Sequence, residues 1–319
     1  MKKYRILIVR PYVNHGGPIV LSTLCKYLIE RGYNAKLLYI HVGPKKHTNM
    51  LLFWVIYIKN ILKYIFMSLC IRLFGRFDWQ FIQVFKDFCV DPVPGTKRKL
   101  LPFYNRKNTI VVYPEGIYGN FLHAKNVIRY LLYHYRYEND TRAYGKNDLF
   151  ICFRNFFNSW KLNSEGLCVT FNYFDRALYR QYNFGERKGN CYIIRKGKNR
   201  TDLPECFDGP ILDSLREEDK VKIFNSKKFC LVYDPQTFYC LIAAICGCIP
   251  IVIMEPGKTK EDYKTKNETS YGRAYGDSPD EIEYAITTRR KLIDALDNIE
   301  SNNNINIDKF IQIMNKKFE

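Results

Sequence analysis

The sequence lacks several features that mark specialised classes of protein. No uncharged apolar run reaches the roughly 18 residues that a membrane-spanning helix needs, and no segment repeats at a fixed period. Zinc-ligand spacing, the aromatic-glycine strand motif of RNA-binding sheets and a basic zipper are all missing. Met1-Lys2-Lys3 leads directly into a predicted strand, so we expect no signal peptide. These absences favour a cytoplasmic globular protein and give no support to nucleic acid as a partner.

Acidic residues are in deficit. The chain has 32 Asp+Glu against 50 Lys+Arg, which gives a net charge of +18. A surface this basic attracts polyanions, among them anionic lipid headgroups and phosphorylated small molecules. With 319 residues, 47% of them hydrophobic, the chain is long enough for two domains that each have a core.

The eleven cysteines have no regular spacing. Cys246 and Cys248 are one residue apart, but no histidine or second cysteine pair lies near them in the sequence, so we expect no zinc site. Free cysteines within apolar runs fit a reducing cytoplasm. No Asp-x-Asp motif follows a predicted strand, and the sequence predicts neither a bound metal nor a cofactor.

The first 40 residues have the pattern of a strand, a helix and a second strand. Apolar runs at 5–9 and 35–40 predict buried parallel strands, and apolar residues recur at helical spacing over 20–28. The loop 14–18 between them contains Gly16 and Gly17. This pattern predicts an α/β fold with two Rossmann-like halves facing a cleft.

The alternation continues through the rest of the chain. Further strands are predicted at 109–113, 149–153, 167–171, 190–195, 229–233 and 249–254, and helices at 122–135, 217–224, 237–246, 281–299 and 308–317. The glycine-rich segment 185–189 is the predicted linker. It separates a first domain, 1–185, which includes an apolar insertion at about 48–102, from a second domain, 186–319. The helix 308–317 either stays with the second domain or packs back on the first.

The segment 49–74 is strongly apolar but is interrupted by Lys59, Asn60 and Lys63. On a helical wheel these three polar residues form one stripe and leave a wide apolar face. One interpretation is a core helix of the first domain. The other is a helix that lies in a membrane interface with its lysines at the headgroups.

Two segments of the second half predict an anion site. Asp234 and Pro235 are typical of a helix N-terminus, so the free N–H groups of Gln236 and Thr237, with the Thr237 hydroxyl, would face an anion. Arg195 and Lys196 follow the strand predicted at 190–195. Because parallel strands end at the same edge of a sheet, the two segments together favour a phosphate site, although a capped core helix and a solvated basic turn explain each segment alone.

Seven short stretches match one family in their order along the chain. They are Gly16-Gly17, YPEG (113–116), Gly119-Asn120, CYIIRKG (191–197), VYDP (232–235), AAICGCIP (243–250) and YGRAYG (271–276). In these stretches the chain resembles GT-B-fold glycosyltransferases of bacterial surface polysaccharide biosynthesis, such as capsule or lipopolysaccharide. The resemblance also places Arg129 on a helix after Asn120, and it is weakest over 48–102.

The resemblance implies a donor site made of Arg195, Lys196, Asp234, Gln236 and Thr237, with Gly16, Gly17 and Asn120 in a loop of the cleft. It implies a nucleotide-sugar donor of UDP or GDP type and a glycan or lipid-linked acceptor. Many relatives with retaining chemistry carry two glutamates eight positions apart around the donor helix. Here Asp234 stands near the first place and Ile242 and Ala243 near the second, so the ribose-binding carboxylate is absent.

Glu115 and His15 are the titratable residues predicted for chemistry. Both lie in loops that follow strands of the first domain, where either could take a proton from an acceptor hydroxyl in an inverting reaction. The alternatives are a turn-stabilising carboxylate and a hydrogen-bonding loop histidine. A non-catalytic protein of the same fold that binds a polyanion or a membrane, and a transferase of another phosphorylated group, stay open as rival functions. We expect a cytoplasmic enzyme with peripheral contact to the inner face of the membrane.

Overall fold

Two parallel sheets organise the chain, one in each of two units. The computed structural model describes residues 4–13, 16–41, 43–75, 80–133, 137–140, 142–235, 237–263 and 270–318. Unit 1 comprises Met1–Tyr173 and Glu300–Glu319, and unit 2 comprises Phe174–Ile299. This architecture confirms the predicted α/β fold with two Rossmann-like units.

The sheet of unit 1 has six parallel strands in the order β3-β2-β1-β4-β5-β6. The strands are β1 (Arg5–Pro11), β2 (Asn34–Ile40), β3 (Arg98–Lys99), β4 (Thr109–Pro114), β5 (Asn126–Leu131) and β6 (Leu149–Cys152). Three helices belong to the same part of the chain, α1 (Gly17–Glu30), α2 (Met50–Phe74) and α3 (Gln80–Cys89). The residues of β4 are all buried, as expected for a central strand of a sheet covered on both faces.

The sheet of unit 2 has four parallel strands in the order β10-β9-β8-β7. The strands are β7 (Asn190–Ile193), β8 (Phe229–Val232), β9 (Ile249–Val252) and β10 (Ala274–Tyr275), and the helices are α4 (Glu217–Ser226), α5 (Tyr239–Ile245) and α6 (Pro279–Asp297). Its core combines strand residues such as Ile193 and Val232 with Phe224 of α4 and Ile242 of α5.

The last helix, α7 (Ile299–Phe318), is longer than predicted and packs on unit 1. Its residues Ile307 and Phe310 are buried in the same cluster as β1 and α1. Residues 300–304, which lie between the helices predicted at 281–299 and 308–317, are helical. The reason is that Asn303 is buried and binds the backbone of Asn172, accepting from its N–H at 3.0 Å and donating to its carbonyl at 2.7 Å.

The boundary between the units falls at 173/174 rather than at 185/186. Phe174 and Tyr179 pack against the core of unit 2. In addition, the side-chain oxygen of Asn225 accepts hydrogen bonds from the backbone N–H groups of Tyr182 and Asn183. The segment before the glycine-rich stretch is thereby fixed to the second sheet.

Two further elements of unit 1 differ from the prediction, and one of the two interpretations of a third is wrong. The helix predicted at 122–135 is wrong, because strand β5 occupies 126–131 and carries Arg129. Five of its six residues are buried between β4 and β6, and a short apolar run buried on both faces looks the same in sequence as a buried helix. The strand candidate at 167–171 makes one isolated bridge, Cys152 to Cys168. Only Phe53 and Tyr57 of α2 are buried, so the interpretation of 49–74 as a core helix is wrong.

Candidate functional site

The residues predicted to bind an anion meet at one edge of the second sheet. Strands β7 and β8 are parallel neighbours, so the segments that follow them lie side by side. Arg195 follows β7 and Thr237 follows β8, and the guanidinium Nη1 of Arg195 donates to the Thr237 hydroxyl at 3.3 Å. Lys196 is exposed on the same turn. Gln236 lies outside the described residues.

Arg195 has an uncommon backbone conformation. Its φ is +42°, a region that costs a residue other than glycine about 1–2 kcal/mol. The carboxylate of Asp213 accepts hydrogen bonds from the backbone N–H groups of Arg195, at 2.6 Å, and Ile194, at 3.1 Å. Asp213 therefore stabilises the turn that aims the Arg195 side chain at Thr237, a role that the sequence did not reveal.

Gly197 lets the turn 195–199 pack closely on the segment after β8. A Cβ atom at this position would stand 2.3 Å from the carbonyl oxygen of Tyr233, which no real contact allows. The turn after β7 and the segment after β8 are thus in direct backbone contact, because only glycine fits between them.

A half-buried hydrogen-bond network lies beside Arg195. The guanidinium carbon of Arg195 lies 5.3 Å from the centre of the Tyr239 ring. The Tyr239 hydroxyl donates to Glu217 Oε1 and accepts from the ammonium of Lys220 at 2.8 Å. Glu217 also accepts from the hydroxyl of Tyr179 at 2.8 Å. This network fixes the Tyr239 ring, against which the Arg195 guanidinium packs.

Glu217 is ionised in this network. Burial alone raises the pKa of Glu217, but hydrogen bonds from Lys220 and Tyr239 outweigh burial and bring the pKa below its ordinary value. Lys220 is 4% exposed and ion-pairs with Glu217 at 2.8 Å, so each charge compensates the other. The only sequence signal for this pair is the spacing of three residues on a predicted helix.

Beside this network, unit 2 contains a cavity of about 680 Å³ at the ends of its strands. Residues around it include Lys196, Gly197, Arg200, Asp202, Tyr233, Asp234, Glu255, Lys258 and Asp262. Most of these charges are neutralised locally: Asp202 pairs with Arg200 and Glu255 with Lys258. Within the described ranges, Lys196, Asp234 and Asp262 line the cavity without an ion pair. The cavity therefore offers mixed polar groups rather than a purely cationic wall.

Arg200 ties this cavity to the sheet. Its guanidinium donates to the carbonyl oxygens of Ile253, at 2.7 Å, and Met254, at 2.9 Å, just after β9. A hydrogen bond from Arg200 lowers the pKa of the Asp202 carboxyl and in turn raises the pKa of Arg200. The pair is structural, because Arg200 binds both Asp202 and the two backbone carbonyls after β9.

The predicted helix N-terminus at Asp234 is wrong. Helix α5 begins at Tyr239, has seven residues and has Phe238 as its N-cap. The N–H of Thr237 is not free, because it donates to the Asp234 carbonyl at 3.0 Å and closes a turn. Thr237 instead contributes its hydroxyl, which accepts from Arg195 and from the N–H of Tyr239. Asp234 is 4% exposed, and its carboxylate has no hydrogen bond to a residue that the structure describes.

In unit 1, Gly16, Gly17 and Glu115 lie near the point where the strand order reverses. Strand β1 pairs with β2 on one side and with β4 on the other, and such a switch point is where open α/β sheets bind ligands. Gly16 has φ +59° before α1, and a Cβ on Gly17 would stand 3.1 Å from a methyl of Leu132. The Glu115 carboxylate accepts from the N–H of the same Leu132 at 3.0 Å. His15 lies outside the described residues.

Asn120 and Arg129 hold the loop after β4. The side-chain oxygen of Asn120 accepts from the Tyr113 hydroxyl at 3.0 Å and from the N–H of Ala124 at 2.9 Å, and its amide donates to the Ala124 carbonyl. Arg129 is fully buried and donates to Asp148 at 2.7 Å and to the carbonyl of Gly119 at 2.9 Å. Both side chains therefore support the loop from within.

Comparisons with known proteins give structural likeness at low identity. No protein-family model matches the chain, and no curated protein sequence matches it. The structure is similar to a glycosyltransferase from Rickettsia africae ESF-5, with 10% identity over 100% of both chains and a TM-score of 0.44. It is also similar to the glycotransferase of kitacinnamycin, with 7% identity over 98% of this chain and 100% of that chain and a TM-score of 0.43.

Proposed function

We propose that this chain is a glycosyltransferase that binds a nucleotide-sugar at the carboxyl edge of the second sheet. The observation that carries the proposal is the contact between Arg195 and Thr237, 3.3 Å apart at the ends of two neighbouring strands and beside an open cavity. The motifs of the sequence resemblance fall on these same segments. They support a UDP- or GDP-type donor and a role in surface polysaccharide synthesis, such as that of capsule or lipopolysaccharide.

The charges suggest that different groups of the donor bind in different parts of the site. Its diphosphate would take hydrogen bonds from Arg195, charge from Lys196 and a hydroxyl from Thr237. The mixed cavity suits hydroxyl-rich groups, and the Asp234 carboxylate would accept from a ribose or sugar hydroxyl. Two protein cations can neutralise the diphosphate, so we propose a metal-independent reaction without a cofactor.

The acceptor, a glycan or a lipid-linked glycan, is assigned to unit 1. The loop of Gly16 and Gly17 and the turn of Glu115 lie at the switch point of that sheet. If the reaction inverts configuration, Glu115 or His15 is the proposed base. The hydrogen bond from Leu132 to Glu115 also fits a carboxylate that stabilises the turn, and a retaining reaction requires no such base.

A second candidate is a non-catalytic protein that binds a polyanion on the same fold. It is favoured by Ile242 and Ala243, which are fully buried in the core of unit 2 at the place where the resemblance expects a carboxylate. Transfer of a phosphorylated group other than a sugar is a third candidate for the same anion site.

Nucleotide binding tests the site, and product analysis tests the reaction. UDP and GDP should raise the melting temperature of the wild type in a saturable way, and Arg195→Ala should lower affinity for the stabilising nucleotide by about 10–150-fold, since a charged hydrogen bond contributes about 1.5–3 kcal/mol. Lys198→Ala is the matched control, because Lys198 is an exposed cation of the same turn to which the proposal gives no contact with the diphosphate. Equal loss in both variants would remove the assignment.

Incubation with a panel of nucleotide-sugars, followed by mass spectrometry, then separates the candidates. A glycosyltransferase releases nucleoside diphosphate and adds a sugar mass to an acceptor or to water. Saturable nucleotide binding without any turnover would favour the non-catalytic candidate, and release of a nucleoside monophosphate would favour transfer of a phosphorylated group.

A further inference from the structure

Helix α2 exposes a continuous line of large apolar side chains. Six of them recur every three or four residues and share one side of the helix; they are Leu51, Val55, Ile58, Leu62, Ile65 and Leu69. This line is called the outer stripe below. Its exposed fractions run from 50% for Ile65 to 76% for Leu51. Soluble monomers seldom expose so long an apolar surface unless it is a contact surface.

The other side of α2 is attached to unit 1. Phe53 and Tyr57 are 7% and 5% exposed and pack in the cluster that covers one face of the sheet. The Tyr57 hydroxyl donates to the carbonyl of Leu100. Leu101 and Phe103 follow this contact directly and are 52% and 76% exposed. The helix is therefore held by its inner side, while the outer stripe is open to solvent and has further exposed apolar residues beside it.

The charges on α2 all have one sign. The helix contains Lys59, Lys63 and Arg72 but neither aspartate nor glutamate, and all three cations are exposed. At 3.6 residues per turn, Lys59 lies along one border of the outer stripe and Arg72 along the other, and Lys63 lies one turn after Lys59, further from the stripe. Long cationic side chains that flank an apolar face can reach anionic headgroups while that face enters the acyl boundary.

We propose that α2 lies in the plane of an anionic lipid surface, with the outer stripe buried at the acyl boundary and Lys59, Lys63 and Arg72 at the headgroup phosphates. The net charge of +18 draws the whole chain toward such a surface. The inference does not depend on the transfer reaction, because binding to vesicles requires neither donor nor acceptor.

Two other occupants of the stripe fit less well. By length and composition α2 could cross a bilayer, but crossing would place Lys59 and Lys63 in hydrocarbon and pull Phe53 out of its cluster. A second copy of α2 would bring the same cations and no carboxylate to pair with them. The exposed apolar arc also includes Leu52 and Phe66, which makes it wider than the seam of a coiled coil.

Binding of the full chain to vesicles tests the inference. Wild type should sediment with vesicles of phosphatidylglycerol and phosphatidylcholine, and binding should weaken as salt rises. Lys59→Gln/Lys63→Gln should lower the partition coefficient by about 25-fold, from about fivefold for each lysine. Lys188→Gln/Lys222→Gln removes the same charge from unit 2, where these side chains are 81% and 70% exposed, and should bind as wild type.

The apolar part of the proposal has its own variant. Leu62→Asp/Leu69→Asp should abolish binding with an unchanged melting temperature, because both side chains are exposed, at 62% and 53%. Wild-type binding by this variant, or equal losses in the two lysine pairs, would overturn the proposal. Resistance of bound wild type to alkaline carbonate would identify a spanning helix instead. A vesicle-free dimer that the aspartate variant dissociates would assign the stripe to a second copy.

Discussion

Asp213→Ala should weaken nucleotide binding although Asp213 is not expected to touch the nucleotide. Its carboxylate accepts the N–H groups of Ile194 and Arg195 and so stabilises the turn in which Arg195 has φ +42°. Without the carboxylate, Arg195 can relax to a negative φ, which turns its side chain away from Thr237. Asp213 is thus a positioning residue, and its contribution passes through Arg195.

The expected loss follows from the backbone energy of that turn. The left-handed region costs a non-glycine residue about 1–2 kcal/mol, and loss of both hydrogen bonds leaves this cost uncompensated. The competent conformer then falls to a fraction of about one fifth to one thirtieth, and the apparent affinity falls by the same factor. We therefore expect a loss of about 5–30-fold for Asp213→Ala, smaller than the loss expected for Arg195→Ala.

A double-mutant cycle by calorimetry checks this reasoning. Affinity for the nucleotide that stabilises wild type is measured on wild type, Asp213→Ala, Arg195→Ala and the double variant. If Asp213 acts only through Arg195, the double variant binds no more weakly than Arg195→Ala. Losses that multiply in the double variant would refute the positioning role, and an unchanged affinity of Asp213→Ala would show that the turn holds without the carboxylate.

Two further predictions concern carboxylates with identified partners. Glu217→Gln should lower the melting temperature at about pH 7. The pKa of Glu217 is lowered in the folded state, so its ionised carboxylate stabilises the fold above the unfolded pKa of about 4.3. This stabilisation is lost as the pH falls below that value. The difference in melting temperature between wild type and Glu217→Gln should therefore shrink toward about pH 3. A difference that does not change with pH would contradict the network. Glu115→Gln distinguishes a catalytic base from a carboxylate that stabilises the turn. If Glu115 is the base, turnover should fall by about 10²–10⁴-fold while donor affinity stays intact. If Glu115 only accepts the Leu132 N–H, the melting temperature should fall while turnover stays nearly normal.

The first sheet shows what local patterns can predict. The strands β1, β2 and β4 have four or more consecutive buried residues, and their apolar runs predicted them correctly. Strand β5 has the same kind of run but was predicted as a helix. What decides its conformation is its position between β4 and β6 and the loop that Asn120 closes before it. Both are tertiary facts that no window of sequence contains.

The polar contacts of α7 were beyond prediction for the same reason. A run of asparagines after Glu300 is a poor helix former in isolation. In the structure Asn303 binds the backbone of Asn172, 131 residues away. Burial and two hydrogen bonds outweigh the weak propensity, since each buried polar group that is satisfied avoids a desolvation cost of about 1–3 kcal/mol.

The candidate site also has one part that the sequence predicts and one part that it does not. That Arg195 and Thr237 would meet was predictable, because parallel neighbouring strands end at one edge even when their residues are 42 positions apart. The residues that hold Arg195 in place were not predictable. Asp213 lies 18 positions from Arg195 in a segment without regular structure, and Tyr239 reaches Glu217 from another helix. Nothing in their local sequence distinguishes them from ordinary surface and core residues.

The displaced start of α5 changes the physical basis of the anion site. A helix N-terminus would bind phosphate through backbone N–H groups, which no side-chain substitution removes. Here the N–H of Thr237 is occupied by Asp234, and α5 has only seven residues. In the proposed site, recognition would then come from side chains, above all from the Arg195 guanidinium on its positioned turn. Because a guanidinium forms a planar fork and an ammonium does not, we do not expect lysine to replace Arg195 in the proposed site, which would depend on the arginine itself as well as on its charge.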